Sequence, residues 1–427
     1  MAGKTRKHRL RQKKSRKRYT AKGGRYLGKG SYGCTFGFPP LKCIGEPARK
    51  SAEYISKYLV KDEARTEGIK SKWFKKFDPS DTYFLTASTI CDLDTADIKA
   101  SDEFVRCHIP IAPGNKLVFF KNAGIDLRKF RPTPDQLIPF YKSLPHLFDG
   151  LSLAHRNRTY HRDIKLENVV TMQTPDGRFL TRFIDLGLGV THPIKKITAA
   201  SYYADFYVYW PFDVYFMYRD YTTVSTRLNR LLAGEDFSAR YPLFLEKIEQ
   251  NIYGVWYPFF KANGSPFTSY DQMATILMSP ENRALSLEKR IELADIYSLG
   301  ILILQCFRYL GISIKDDGVA PQAFLNITDG FNFYEINIDD LSHLPFSFEP
   351  DVFDWIGNVT ADLVTSVLEL VKSMCHPDPI KRMTLELAKL FYVTEVLPKV
   401  ELYLTGPQVQ AMNDELDVLG YKIVVSP

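Results

Sequence analysis

His161-Arg162-Asp163-Ile164-Lys165-Leu166-Glu167-Asn168 is followed, seventeen positions after the Asn, by the Asp of Phe183-Ile184-Asp185-Leu186-Gly187. The two segments bring together a carboxylate, a cation and two further oxygen donors. Moving a phosphoryl group between oxygens asks for these groups. It needs a carboxylate to orient the attacking hydroxyl, positive charge beside the phosphates and oxygen ligands for Mg²⁺, and little covalent help. Asp163 suits the first role, and Lys165, two residues on, is near enough to neutralise the moving group. Asn168 and Asp185 carry the hard oxygen donors that Mg²⁺ takes. Taken alone, Asp163 is equally a turn Asp that caps a helix.

The elements that must position these residues leave their own traces. Gly28-Lys29-Gly30-Ser31-Tyr32-Gly33-Cys34-Thr35 has the spacing G-x-G-x-x-G-x-T. Glycines let a β-hairpin come close to phosphates with its N–H groups facing the anion. In Tyr54–Leu59 the alternation of Ile55, Lys57 and Leu59 predicts a strand, with Lys50 and Lys61 as competing cations. Asp62–Ile69 predicts a helix running to Phe77, followed by Asp78-Pro79. Leu293-Ala294-Asp295-Ile296-Tyr297-Ser298-Leu299-Gly300 opens an apolar run to Leu304. A late segment reads Pro377-Asp378-Pro379-Ile380-Lys381-Arg382-Met383-Thr384.

In order and spacing these motifs resemble the eukaryotic-type protein kinase superfamily, over roughly residues 25–400. The resemblance implies an α+β, bilobal protein-kinase-like fold. Its N-lobe is small and β-rich. Its larger C-lobe is helical, with an insertion ahead of the helix that carries Asp295. ATP is then held by Gly28, Gly30, Gly33, Thr35, Lys57, Phe120 and Asp126, with Phe119 as gatekeeper. Glu67 is the partner of Lys57, and Glu63 is the runner-up. Asp126 faces the ribose or caps the next helix. Asp163, Lys165 and Asn168 carry catalysis, and Asn168 and Asp185 hold Mg²⁺ or Mn²⁺. Arg162 awaits a phosphate on the activation segment, for which Thr191, Thr198, Ser201 and Tyr203 are candidate acceptors. Asp295 holds the catalytic loop, and Arg382 pairs with the acid that ends the activation segment. Lys165 is the serine/threonine pattern, so the implied reaction is transfer of the γ-phosphoryl group of ATP to Ser/Thr hydroxyls of proteins.

The chain departs from the family in three places. The final acid is Asp213, in Tyr209-Trp210-Pro211-Phe212-Asp213, or Glu281, in Ser279-Pro280-Glu281, and both stay open. Seven residues earlier, where the family carries Thr, stand Phe206 or Ala274. From Asp185 to Asp295 is 110 positions, so an insertion falls between about 188 and 290. Its aromatics, among them Tyr215, Phe216, Tyr253, Trp256 and Phe260, predict packed helices with an unidentified partner. With G-S-Y-G-C-T-F and F-P-P-L-K-C, it is similar to kinases encoded by large nucleocytoplasmic DNA viruses. Two other functions compete: a pseudokinase-like scaffold, and a virion- or nucleic-acid-associated protein on a kinase fold. The intact Lys57, Asp163, Asn168 and Asp185 favour the enzyme.

The 427 residues, 45% of them hydrophobic, suffice for two lobes. The expected divisions are a disordered basic arm at 1–25, an N-lobe at 26–121, a C-lobe at 122–404 and a tail at 405–427. The net charge of +7 hides an asymmetry, because residues 1–25 hold twelve Lys and Arg and no acid, leaving the remainder at −5. The arm has no apolar periodicity and suits a nucleic acid or another polyanion, nuclear import or virion packaging. Gln136–His155 predicts one long amphipathic helix, and Thr174-Pro175-Asp176-Gly177 a hairpin turn. Cys34, Cys43, Cys91, Cys107, Cys306 and Cys375 contain no C-x-x-C pair and are read as thiols of a reducing compartment, with no bridge expected. No secretory signal is expected, and the apolar run at Leu299–Leu304 is too short for a bilayer. The expectation is an intracellular protein, in host cytoplasm, nucleus or virion, without a membrane partner.

Overall fold

The computed structural model describes residues 24–30, 32–46, 52–98, 102–194, 209–211, 213, 279–310, 361–376 and 378–405. The basic arm to residue 23, Thr198, Ser201, Tyr203, Phe206, Ala274, the aromatic insertion and the tail from 406 lie outside the described residues. Contacts divide the chain into two units, residues 1–64 with 88–122, and residues 65–87 with 123–427.

The first unit is built on a five-stranded antiparallel sheet in the order β1-β2-β3-β5-β4. The strands are β1 (Tyr26–Lys29), β2 (Gly33–Phe36), β3 (Tyr54–Leu59), β4 (Thr89–Cys91) and β5 (Lys116–Lys121). Gly30 N–H closes the β1–β2 turn on the Gly33 carbonyl at 2.8 Å. A Cβ on Gly33 would come within 2.6 Å of the Tyr58 carbonyl oxygen, so β2 and β3 approach as closely as only glycine allows. Helix α1 (Lys61–Lys75) follows β3 and is counted with the second unit from Arg65 on. Two short helices, α2 (Thr95–Ile98) and α3 (Asp102–Val105), help cover the sheet. Phe36, Tyr58, Phe104, Leu117 and Phe119 form the core.

The cysteine expectation needs correcting. Cys34 is bonded to Cys107, and Cys43 to Cys91, with Cα separations of 5.6 and 5.8 Å. Sequence spacing hides this because partners lie 73 and 48 residues apart. The chain after β2 folds back on the sheet and brings Cys43 to Cys91, while Cys34 is bonded from β2 itself. Leu41 N–H donates to Ser56 Oγ at 3.0 Å, and Ile44 N–H to the Asp92 carbonyl at 3.0 Å. Cys306 and Cys375 are buried free thiols.

The second unit holds two small antiparallel sheets and the remaining helices. One sheet joins β6 (Ile125–Asp126), β8 (Val169–Gln173) and β9 (Phe179–Phe183), and the other joins β7 (Thr159–Tyr160) to β10 (Val190–Thr191). Gly177 N–H bonds the Thr174 carbonyl at 2.9 Å in the expected β8–β9 turn. The single helix expected over 136–155 is two, α4 (Pro134–Ser143) and α5 (Pro145–Arg156). Pro145 has no N–H for the ladder and starts the second helix at its first position. The others are α6 (Pro280–Ala284), α7 (Leu287–Cys306), α8 (Ala361–Met374), α9 (Leu385–Phe391) and α10 (Leu397–Thr405). Every residue of α7 from Leu293 to Cys306 is buried, and the polar Asp295, Ser298 and Gln305 among them are hydrogen-bonded. Gly300 lets α8 pack close, because a Cβ there would lie 2.9 Å from Met374 Cβ. The molecule is thus mixed α and β, with small antiparallel sheets and helices. Among the described residues, no helix is long and apolar enough to cross a membrane.

Candidate functional site

The loop between β7 and β8 carries Asp163, and its backbone is held from α7. Asp295, 1% exposed, accepts the N–H of His161 at 2.8 Å and of Arg162 at 2.7 Å. This fastening lets Arg162 keep a left-handed φ of 68°, which a side chain rarely adopts without such support. His161 is buried between that fastening and Ile184. Asp163 N–H donates to its Nδ1 at 3.2 Å, so Nε2 carries the proton and bonds the Ile184 carbonyl at 3.1 Å. Burial holds the His161 imidazole below the usual pKa, favouring this neutral tautomer.

Around Asp163 two expected residues, Asn168 and Lys165, meet. Asn168 Nδ2 donates to the Asp163 carbonyl at 2.8 Å and to Oδ2 at 2.7 Å. Lys165 Nζ lies 3.1 Å from the same Oδ2. The amide nitrogen is thus turned to Asp163 and the oxygen of Asn168 away from it. Asp185 follows β9 at φ 58° and ψ 70°, the second left-handed residue of the constellation. Ile184 N–H bonds the Asn168 carbonyl at 2.9 Å, tying the two loops together. One amide and one carboxylate oxygen are a suitable donor pair for Mg²⁺, which takes few protein ligands and completes its shell with phosphate and water oxygens. No three His, Cys, Asp or Glu among the described residues form a metal cluster.

Helix α1 is bound to the same region. Glu67 is 2% exposed and shares the buried stripe of Ser71 and Phe74, whereas Glu63, one turn earlier, is half-buried. Lys70 Nζ reaches the Gly187 carbonyl at 2.5 Å. Phe74 packs 4.7 Å from Phe84, which stacks on Phe183 at 5.3 Å, and Phe183 lies 5.4 Å from His161. Asp78 closes the turn after α1, accepting the N–H groups of Thr82, Tyr83 and Phe84 at 2.8 Å each.

The choice between the two acids falls to Asp213. Its carboxylate forms a two-pronged pair with the guanidinium of Arg382, both side chains at 1% exposure or less. Arg382 also bonds the His376 carbonyl at 2.9 Å and the Leu293 carbonyl at 3.1 Å. Glu281 is corrected as its partner, being exposed in the first turn of α6. Ser279-Pro280-Glu281 is a helix start: the Ser279 hydroxyl caps it, Pro280 takes the first position, and Glu281 favours the N-terminal turn.

The remaining expected residues sit as follows. Gly28 and Thr35 face each other across β1 and β2, and Thr35 faces Lys57 across β2 and β3. Lys57 pairs in turn with Val118, and Ile55 with Phe120. Phe119 belongs to the core of the first unit. Asp126 closes a turn, accepting Lys129 N–H at 3.0 Å and the Lys129 ammonium at 2.9 Å, and it does not cap the next helix, whose N-cap is Thr133. Arg162 Nη1 donates to the Leu188 carbonyl at 3.2 Å. The Thr191 hydroxyl is in contact with that of Thr159 at 3.0 Å.

Sequence reasoning missed the anchoring of Tyr209 and Trp210. Tyr209 donates its hydroxyl to Gln305 at 2.5 Å, and Ser298 Oγ donates to the Tyr209 carbonyl at 2.5 Å. Trp210 Nε1 donates to the Arg162 carbonyl at 2.9 Å. The only sequence signal was two large aromatics just before an acid. No family model and no curated protein matches the chain.

Proposed function

We propose that the chain is an ATP-dependent serine/threonine protein kinase. The observation that carries the reading is the convergence of Lys165 and Asn168 on Asp163, on a loop whose backbone Asp295 clamps from a buried helix. An oriented carboxylate beside a cation suits holding a Ser or Thr hydroxyl and balancing charge on the phosphoryl group. Asn168 and Asp185 are the residues that would hold Mg²⁺, which would neutralise charge on the phosphate oxygens. Gly28, Gly30, Gly33 and Lys57 are assigned to the phosphates and Glu67 to the support of Lys57. Protein substrates are the proposed partners, with a polyanion for the basic arm.

Radiolabelled ATP offered with a mixed Ser/Thr peptide library tests the proposal. Wild type should label peptides in a Mg²⁺- or Mn²⁺-dependent manner. Asp163→Asn should lose about 10²–10⁴-fold in rate, the range for one positioned acid–base group, while still binding ATP. Labelling at the wild-type rate by that variant would sink the reading.

A further inference from the structure

Asp163 is only as well placed as the peptide that carries it, and that peptide is gripped at both ends. Its N–H, on Asp163, is bonded to His161 Nδ1. Its carbonyl, on Arg162, accepts the indole N–H of Trp210 at 2.9 Å. The preceding N–H, on Arg162, is taken by Asp295 at 2.7 Å. Two of these grips come from the helix and the loop itself. The third comes from a distant stretch of chain, 48 residues on.

That stretch is itself rigidly mounted. Trp210 is 8% exposed, between Tyr209, whose carbonyl and hydroxyl are both bonded to α7, and Asp213, locked to Arg382. The residue seven before Asp213 is Phe206, whose side chain has no hydrogen-bonding group. The usual Thr at that place therefore cannot tie the end of the activation segment to Asp163. Trp210 is the tie the structure displays.

We propose that Trp210 is a positioning residue, coupling the end of the activation segment to the aim of Asp163 through the Arg162 carbonyl. The proposal rests on the kinase reading for its catalytic consequence only. The indole touches neither substrate nor ATP in this scheme. It sets how often the carboxylate stands in the productive geometry, and a displacement near 1 Å at such a group costs up to about a hundredfold in rate.

Trp210→Phe keeps an aromatic ring in the site and removes the donor. The full-length variant should melt within about 5 °C of wild type. In the peptide-library assay its kcat should fall by about ten- to a hundredfold, while KM for ATP stays within about twofold. The second readout does not need activity. With the Arg162–Asp163 peptide loosened, the titration of His161, followed by NMR on labelled histidines, should move up toward that of a free imidazole. An active wild type with an equally fast Trp210→Phe overturns the proposal, and so does an unmoved His161 titration. A wild type that transfers no phosphate under any condition fails the kinase reading alone, and the His161 titration then decides whether Trp210 positions the loop.

Discussion

Asp213 and Glu281 are both acids on well-spaced motifs, yet they differ in everything that matters energetically. The Asp213 carboxylate is buried against a guanidinium that makes two further bonds to carbonyls. Removing one partner of such a pair leaves a charge stranded in a low dielectric. Asp213→Ala should therefore cost about 3–5 kcal/mol, whereas Glu281→Ala, at an exposed helix start, should stay within about 0.5 kcal/mol of wild type. Denaturant midpoints of the two variants check this, and similar losses for both would mean the pair is not what holds this corner. Replacing Asp213 and Arg382 together by apolar residues should recover much of the loss, because no lone charge remains.

At the scale of elements, the first unit combines a five-stranded sheet with two disulfides. The bridges close loops of 73 and 48 residues, long enough to restrict the unfolded chain substantially. Cys34 follows Gly33 directly, so one bridge anchors the β2 side of the glycine hairpin to the stretch after α3. Cys107→Ser should lower stability by about 2–4 kcal/mol, read as a lower melting temperature of protein purified without reductant. Peptide mapping under non-reducing conditions should show the 34–107 and 43–91 pairs. Six free thiols in protein denatured without reductant would reject both bridges, and two are expected. In the second unit α7 plays the organising part, since one buried helix supplies Asp295 to the loop that carries Asp163 and Ser298 and Gln305 to Tyr209.

For the molecule as a whole, two responses to solution conditions follow. His161 and His376 are both held below the ordinary imidazole value of 6.5, chiefly by burial. The unfolded chain therefore takes up protons before the folded one does. Stability is at its full value above pH 6.5 and falls as the pH drops below it, until the lowered folded values are reached. The slope is at most about 1.4 kcal/mol per pH unit for each histidine. Urea midpoints measured from pH 8 to pH 5 should be flat at first and then decline, and His376→Gln should make the decline shallower. A midpoint that rises on acidification would contradict the neutral assignment. The second response concerns salt. Twelve positive charges in residues 1–25 should bind duplex DNA through counterion release, independently of sequence and steeply weaker as salt rises. A chain starting at Tyr26 should lose that affinity and keep phosphotransfer. Anisotropy at two salt concentrations decides it, and equal affinity after truncation would place the polyanion surface elsewhere.

The local pattern was enough for the strand Tyr54–Leu59, the hairpin turn at Thr174–Gly177, the apolar helix around Asp295 and the grouping of Asp163 with Lys165 and Asn168. Those features depend on residue type and short spacing, which a sequence displays directly. Glu67 and Glu63, four positions apart on one helix, share a face, and the difference in their burial appears only in the structure. Only the tertiary structure could pair Cys34 with Cys107, choose Asp213 over Glu281 for Arg382, split the helix at Pro145 and bring Trp210 to the Arg162 carbonyl. Except for the break at Pro145, which needed a choice between a kink and a new helix, these contacts join residues tens to more than a hundred positions apart. They form when buried polar groups and thiols are packed against one another, and nothing in the local periodicity of either partner records which distant group it will meet.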